Sequence, residues 1–481
     1  MLTLPAKKLG AQEIQERLAA YRSGDLPWRD GKVWAYVYPA PDDVTAIQKW
    51  AFTEFLTENA LDPTAFPSLL RMENEVVGMC AAHLGGDEHV VGNLTTGGTE
   101  SCMMAVKTAR DWARKEKKIA EPEIVLPVTA HAAFFKAAHY FDVKAVIVDV
   151  DPVTFRASPE AIRAAMNENT ALLVVSAPSY AHGVIDPIAE VAALAQAAGI
   201  LCHVDGCIGG FLLPYFRRLG RTVPAFDFTV PGVTSMSMDL HKYAYCPKGA
   251  SVVLYKNKEL RKHQIFACSS WTGYTIVNPT FQSTKSGGPI AAAWATLHAF
   301  GDEGYLEAAR QTLEATDGVL AGIRATPGLR VMGDPEMSLV CFTSDEMSPF
   351  IVADEMIARG YYVQPQLAGS SSKENIHLSI TAGSLPHVAG FVKALGEAVT
   401  AARGKVHPEI IGQMTEMAKG LNGNLEASMG PMMAAFGIEG SHMPDRMGDV
   451  NALLNGLPSK TKETILTAFV NDMFQPPKRE A

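Results

Sequence analysis

Four groups of residues in this sequence are equipped for chemistry. Lys242 follows the alternating run Ser235-Met236-Ser237-Met238-Asp239, a pattern that suits a half-buried strand. A lysine held partly desolvated at a strand end is expected to have a lowered pKa and to attack an aldehyde. The competing reading is an exposed lysine at a strand end. Asp205 closes the run Ile200-Leu201-Cys202-His203-Val204. A carboxylate there needs hydrogen bonds or a cation, and a protonated ring nitrogen would supply one; an aspartate helix cap is the alternative. Gly97-Gly98-Thr99 leads into a helix. Free N–H groups, the positive end of the dipole and close backbone approach make such a turn an anion cradle, although Gly-Gly also opens helices that bind nothing. His131 follows one strand and starts a helix, so its ring could stack on a planar group or simply cap the helix.

These groups need elements that bring them together. Between residues 71 and 300, helical and short apolar segments alternate. Strands are expected at 124–128, 145–149, 171–176 and 200–205. Helices are expected at 72–84, from the Gly97 turn to about 118, and at 130–141, 159–167 and 188–198. The pattern predicts an α/β fold with a mostly parallel sheet covered on both faces. Ligands of such sheets lie beyond the carboxyl ends of the strands, where the Gly97 turn, Asp205 and Lys242 fall. Residues 1–70 read as an arm, 301–404 as a smaller α+β domain and 405–481 as a helical extension. A long helix at 305–325 and another at 385–402 are expected in the later part. An anion cradle, a stacking ring, a ring-nitrogen partner and an amine nucleophile together match the needs of pyridoxal 5′-phosphate. The expected architecture is aspartate-aminotransferase-like, or fold type I.

Composition narrows the class. The chain has 481 residues, 47% of them hydrophobic and 19% charged, with a formal net charge of −9. Two or three domains are expected at this length. No basic patch dominates, which argues against nucleic acid as a partner. The seven cysteines are dispersed and form no CxxC pair. This predicts a reduced, cytoplasmic protein without disulfides or a Cys-based metal site. The first 22 residues mix Lys7, Lys8, Glu13 and Glu16 into their apolar positions and do not read as a signal peptide. No apolar run is long enough to span a bilayer.

Several motifs together closely resemble the sphingosine-1-phosphate lyases. They are Gly97-Gly98-Thr99-Glu100-Ser101, Ala130-His131-Ala132-Ala133-Phe134, His182-Gly183-Val184-Ile185-Asp186-Pro187, His203-Val204-Asp205, Gly209-Gly210-Phe211-Leu212, and Asp239-Leu240-His241-Lys242-Tyr243 with Pro247-Lys248-Gly249. Asn59-Ala60-Leu61-Asp62-Pro63 and the Gly287-Gly288 loop resemble them too. The resemblance implies that Lys242 carries the cofactor covalently. It implies that Gly98, Thr99 and His241 hold the cofactor phosphate, that His131 stacks on the ring and that Asp205 pairs with its nitrogen. Lys248 would bind substrate or move a proton. The segment from Lys285 to Gly288 would reach the cofactor phosphate of a neighbouring subunit, implying a homodimer with shared sites. Tyr36 or Tyr38, with Asn59 and Asp62, would meet the substrate, a phosphorylated, lipid-like amine. The implied activity is a retro-aldol cleavage to phosphoethanolamine and a long-chain aldehyde. An amino-acid decarboxylase on the same scaffold, and a catalytically silent binding scaffold, are the alternatives. The chain departs from the family pattern at Asp62, where a histidine is usual, and at Phe135, where asparagine is frequent. It departs again near Met433, where a tyrosine is expected.

Overall fold

The strand that ends in Asp205 is buried along its whole length, as a strand inside a two-sided sheet must be. Around it the computed structural model, which describes residues 3–409, 412, 415 and 446–476, builds a seven-stranded sheet. Its strands are β1 (Val91–Thr95), β2 (Glu123–Pro127), β3 (Lys144–Val148), β4 (Thr170–Ser176), β5 (Leu201–Asp205), β6 (Ser235–Asp239) and β7 (Ser251–Tyr255). Their order is β1-β7-β6-β5-β4-β2-β3. The pairs from β6 to β3 are parallel, whereas β7 runs antiparallel to both β6 and β1. This is the mostly parallel sheet expected.

Helices α1 (Ala11–Arg22), α2 (Asp42–Glu54) and α3 (Pro67–His83) precede the sheet. Between and after its strands come α4 (Gly98–Trp112), α5 (Ala132–Phe141), α6 (Pro159–Ala165), α7 (Ile188–Ala198), α8 (Leu213–Arg218) and α9 (Lys258–Arg261). A hairpin of β8 (Phe266–Cys268) and β9 (Ile276–Asn278) then leads to α10 (Gly287–Ala325). The smaller sheet has the order β10-β11-β13-β12, with β10 (Arg330–Val331), β11 (Leu339–Thr343), β12 (Gln364–Gln366) and β13 (Asn375–Ser379). Helices α11 (Pro349–Ala358) and α12 (Val388–Ala402) accompany it, and α13 (Gly448–Gly456) and α14 (Ser459–Met473) follow. Each sheet has its own apolar core. Trp34 from the arm belongs to the smaller one, stacked on Phe391 at 4.0 Å.

Three elements differ from the sequence expectation. Strand β1 contains Gly92 and Asn93, residues depleted from strands, yet a Cβ on Gly92 would lie 2.3 Å from the Val253 carbonyl of β7. Close backbone approach requires the glycine there. The helix expected to begin at 305 starts at Gly287, and is broken at Gly301, where φ is 59° and ψ 178°. The helix expected from 385 opens as a 3-10 turn, Ala382–His387, which contains Pro386. Met433 lies outside the described residues. No helix among those described is long and apolar enough to cross a membrane.

Candidate active site

The carboxyl ends of β5 and β6 and the starts of α4 and α5 converge on one cavity of about 330 Å³. Its lining includes Gly98, Thr99, His131, Asp205, His241 and Lys242. Six residues singled out from sequence therefore meet in space, although 144 positions separate Gly98 from Lys242.

Asp205 is buried, and its Oδ1 accepts hydrogen bonds from the Cys207 N–H at 3.0 Å and the Ser237 hydroxyl at 3.2 Å. Behind it, His203 lies between Ser235 and Ser237, with ring nitrogens 2.9 and 3.3 Å from their hydroxyls. Burial pushes His203 down to about 4, so this ring is neutral and adds no charge behind Asp205. The second oxygen of Asp205 takes no hydrogen bond from the described residues, which suits a carboxylate waiting for a cationic partner.

His131 fills both roles considered for it. It is the N-cap of α5, where its Nδ1 accepts from the Ala133 N–H at 3.2 Å, and it lines the cavity. The cap holds the ring in place. At the start of α4, Glu100 reaches back to accept from the Thr96 N–H at 2.7 Å and from the Thr96 hydroxyl. Its other oxygen accepts from the Phe281 N–H at 2.9 Å. Glu100 thus braces the turn, while the Thr99 hydroxyl has no such tie among the described residues.

Lys242 is not the neutral amine expected. Its Nζ lies 2.9 Å from the Asp239 carboxylate. Burial works against the lysine's charge, but the groups facing it, Asp239 foremost, together raise the Lys242 pKa. Sequence reading missed Asp239, whose carboxylate is buried at the end of β6. His241 lies beside the same carboxylate, with Nε2 at 3.6 Å. Its Nδ1 accepts from the Ala250 N–H at 3.3 Å, and burial lowers its pKa. The proton of the neutral ring therefore sits on Nε2, facing Asp239.

Lys248 is the amine with the lowered pKa, brought to about 8 by burial and then by the charge of Lys242. Its Nζ donates to the Tyr36 carbonyl at 3.1 Å and lies 5.1 Å from the centre of the Tyr38 ring. Tyr36 is exposed, with its hydroxyl 3.2 Å from that of Tyr362. Tyr38 packs edge-on against Tyr243. The smaller sheet contributes as well. Tyr180 lines the cavity, donates to Gln364 of β12 at 2.7 Å and stacks on His377 of β13 at 4.3 Å. No sequence signal marked Tyr180, because its partners come from the other sheet.

Lys248, Tyr36 and Tyr38 do not line this cavity, and four further expected residues lie apart from it. Asn59 accepts from the Leu61 N–H at 3.2 Å and pairs in a β-bridge with Ser286. Asp62 is exposed, accepting from the N–H and hydroxyl of Thr64, and the hydroxyl bond first of all lowers its pKa. It borders a separate cavity with residues of the β8–β9 hairpin. Gly287 and Gly288 pack under the end of α2, where added Cβ atoms would lie 2.9 Å from the Glu58 carbonyl and 3.0 Å from that of Phe52. The Gly287 N–H already donates to Glu58 at 2.8 Å, and Lys285 is paired with Glu73 and the Leu94 carbonyl. The sequence resemblance implies that this segment reaches the cofactor phosphate of a neighbouring subunit; within this chain Lys285 and the Gly287 N–H are engaged and the glycines serve helix packing.

The cavity fits pyridoxal phosphate. It presents an amine, a carboxylate with an open oxygen, a flat ring and a helix start in one enclosure, and its size falls in the range of small-molecule sites. A Cβ on Gly98 would come within 2.7 Å of both Asp239 oxygens, so any side chain there would crowd the cradle.

Comparison with known proteins gives the same picture. Residues 22–345 match the pyridoxal-dependent decarboxylase conserved domain, and residues 392–472 match the C-terminal HTH domain of pyridoxal-dependent enzymes. A sphingosine-1-phosphate lyase of Arabidopsis thaliana is 39% identical over 459 residues, covering 94% of this chain and 79% of the relative. One from Dictyostelium discoideum is 39% identical over 82% of this chain and 74% of its own length. Among solved structures, a sphingosine-1-phosphate lyase of Burkholderia pseudomallei superposes with a TM-score of 0.80 at 37% identity, covering 84% of this chain and 93% of that one. A glutamate decarboxylase of Lactobacillus brevis shares the fold, with a TM-score of 0.75 at 18% identity over 85% of this chain and 96% of its own.

Proposed function

The chain belongs to the sphingosine-1-phosphate lyase family of pyridoxal-dependent enzymes, and from that premise we propose that it cleaves a phosphorylated sphingoid base to phosphoethanolamine and a long-chain aldehyde. The observation that carries the reading is the meeting of Lys242, Asp205, His131 and the α4 start in one cavity. Bound at Lys242, pyridoxal phosphate supplies the electron sink that retro-aldol cleavage needs. Asp205 would hold the opposite charge at the ring nitrogen, and His131 would face the ring. The N–H groups of Gly98 and Thr99 and the Thr99 hydroxyl would hold the phosphate, as donors at a helix start do, with the His241 ring beside them.

Lys248 takes the proton of the substrate's 3-hydroxyl in this scheme. With a pKa of about 8, it is protonated below that pH and able to accept a proton only above it. The rate is therefore expected to rise with pH through about 8 and then level off. Lys248→Met is expected to lower kcat by about 10²–10⁴-fold, the worth of a general base, and to remove this rise. A rise that persists in the variant assigns it to another group.

The arm (1–70), large domain (71–300), small domain (301–404) and helical extension (405–481) are the proposed units. A homodimer in the cytoplasm is proposed as well. The exposed Phe266, Trp271, Tyr274 and Phe281 support association, since an apolar patch of this kind suits an interface. Asn59 and Asp62, which lie off this chain's cavity, are then available to a partner's substrate, and Tyr36 and Tyr38 to this chain's own. The deciding assay incubates the purified protein with sphinganine 1-phosphate. Aldehyde and phosphoethanolamine in equal amounts support the lyase. Carbon dioxide from an amino acid, with no aldehyde, would place the chain with the decarboxylases instead.

A further inference from the structure

The cavity floor holds a charge pair that the scheme above does not use. Asp239 ends β6 with its N–H donating to the Cys207 carbonyl at 3.2 Å. Its carboxylate is 2% exposed, and one oxygen lies 2.9 Å from Lys242 Nζ. The other oxygen is buried with no hydrogen-bond partner among the described residues. Both sit directly beneath Gly98, where a side chain would collide with them. The glycine that opens α4 thus makes room for this carboxylate as well as for an incoming anion.

Burial alone would drive a lysine toward its neutral form. Of the other titratable groups around the pair, the Asp205 carboxylate in the same cavity is tied to the Cys207 N–H and the Ser237 hydroxyl, and the rest do not offer Lys242 a negative charge. The Cys207 thiol after β5 is pushed well up, chiefly by its contact with Cys102 of α4, and Cys102 itself is raised by burial. Tyr38 from the arm is raised by burial. His241 is lowered by burial, and Lys248 is cationic or neutral. Asp239 is the anion facing the amine. Its own carboxyl, which burial would raise, is held down by Lys242 and then His241.

We propose that Asp239 is the positioning residue of Lys242: its carboxylate, clamped beneath the Gly98 turn, keeps the free amine protonated and aimed into the cavity until a reacting group takes the proton. The inference rests on Lys242 being the lysine that carries the cofactor. That premise has its own test, the visible band of Lys242→Ala.

The inference itself is tested on the full chain freed of cofactor. The protein is treated briefly with acetic anhydride across a pH series, and acetylation at Lys242 is read by peptide mass spectrometry. The midpoint for wild-type Lys242 is expected above the ordinary lysine value of about 10.4. A midpoint below it, as burial alone would give, overturns the proposal without any variant. Asp239→Asn is expected to lower the midpoint by at least about one pH unit, and Asp239→Glu to keep it high. An unchanged midpoint in the asparagine variant, or equal falls in both, would show that the carboxylate charge does not control the amine.

Discussion

Lys242→Ala protein is expected to be colourless and inactive, while the wild type purifies yellow or turns yellow when pyridoxal phosphate is added. Lys242 reaches the cavity from the loop after β6, between Asp205 and the α4 start. The next amine, Lys248, is engaged by the Tyr36 and His241 carbonyls and cannot take its place without leaving them. The substitution has a second consequence. It leaves the Asp239 carboxylate buried without its cation, and breaking a buried pair on one side costs about 3–5 kcal/mol. The variant should therefore melt well below the wild type, and Lys242→Ala with Asp239→Asn should regain part of that loss. Absorption spectra, activity and thermal melts together check the expectation. A wild type that stays colourless with added cofactor would refute the enzyme reading.

Asp205→Asn should keep the yellow colour and lose about 10²–10³ in kcat, by analogy with the loss of one preorganised electrostatic group from an active site. Asparagine preserves the shape of the side chain and an oxygen for the Cys207 N–H and Ser237 hydroxyl. What it removes is the negative charge opposite the ring nitrogen. The loss should appear in kcat, with KM for the phosphorylated substrate changing little. A variant that keeps full kcat would separate Asp205 from catalysis and leave it as a structural end to β5.

Residues whose position follows from local pattern were legible in the sequence. Asp205 and Lys242 end apolar strands, and the Gly97 turn and His131 open helices, so α/β alternation alone brings them to one edge of the sheet. The parallel core was equally legible because its strands are continuous apolar runs. Long-range partners were not. Asp239 looks like any polar residue in an alternating strand until Gly98 is folded over it. Tyr180 acquires its place only from Gln364 and His377 in another sheet. The pairing of Lys285 with Glu73, 212 positions away, has no local signal either. The lowered pKa expected for Lys242 belongs to Lys248 instead. Burial of its amine and the charge of Lys242 lower Lys248, although the residue as a whole is exposed; only Lys242 has a carboxylate against its Nζ.

The break at Gly301 bears on how the two sheets are joined. The part of α10 before it adds Ile290, Ala293 and Leu297 to the core of the large sheet; the part after it begins on the same core with Tyr305 and Ala309 and then adds Ala315, Val319 and Ile323 to that of the small one. The φ and ψ of Gly301 lie in a region essentially restricted to glycine. The two sheets are therefore joined by a bent helix that is seated on the large core on both sides of its bend, rather than by a slack tether. Because Tyr180 bonds the smaller sheet at the cavity wall, the seat of that sheet on the helix helps set the width of the reaction chamber.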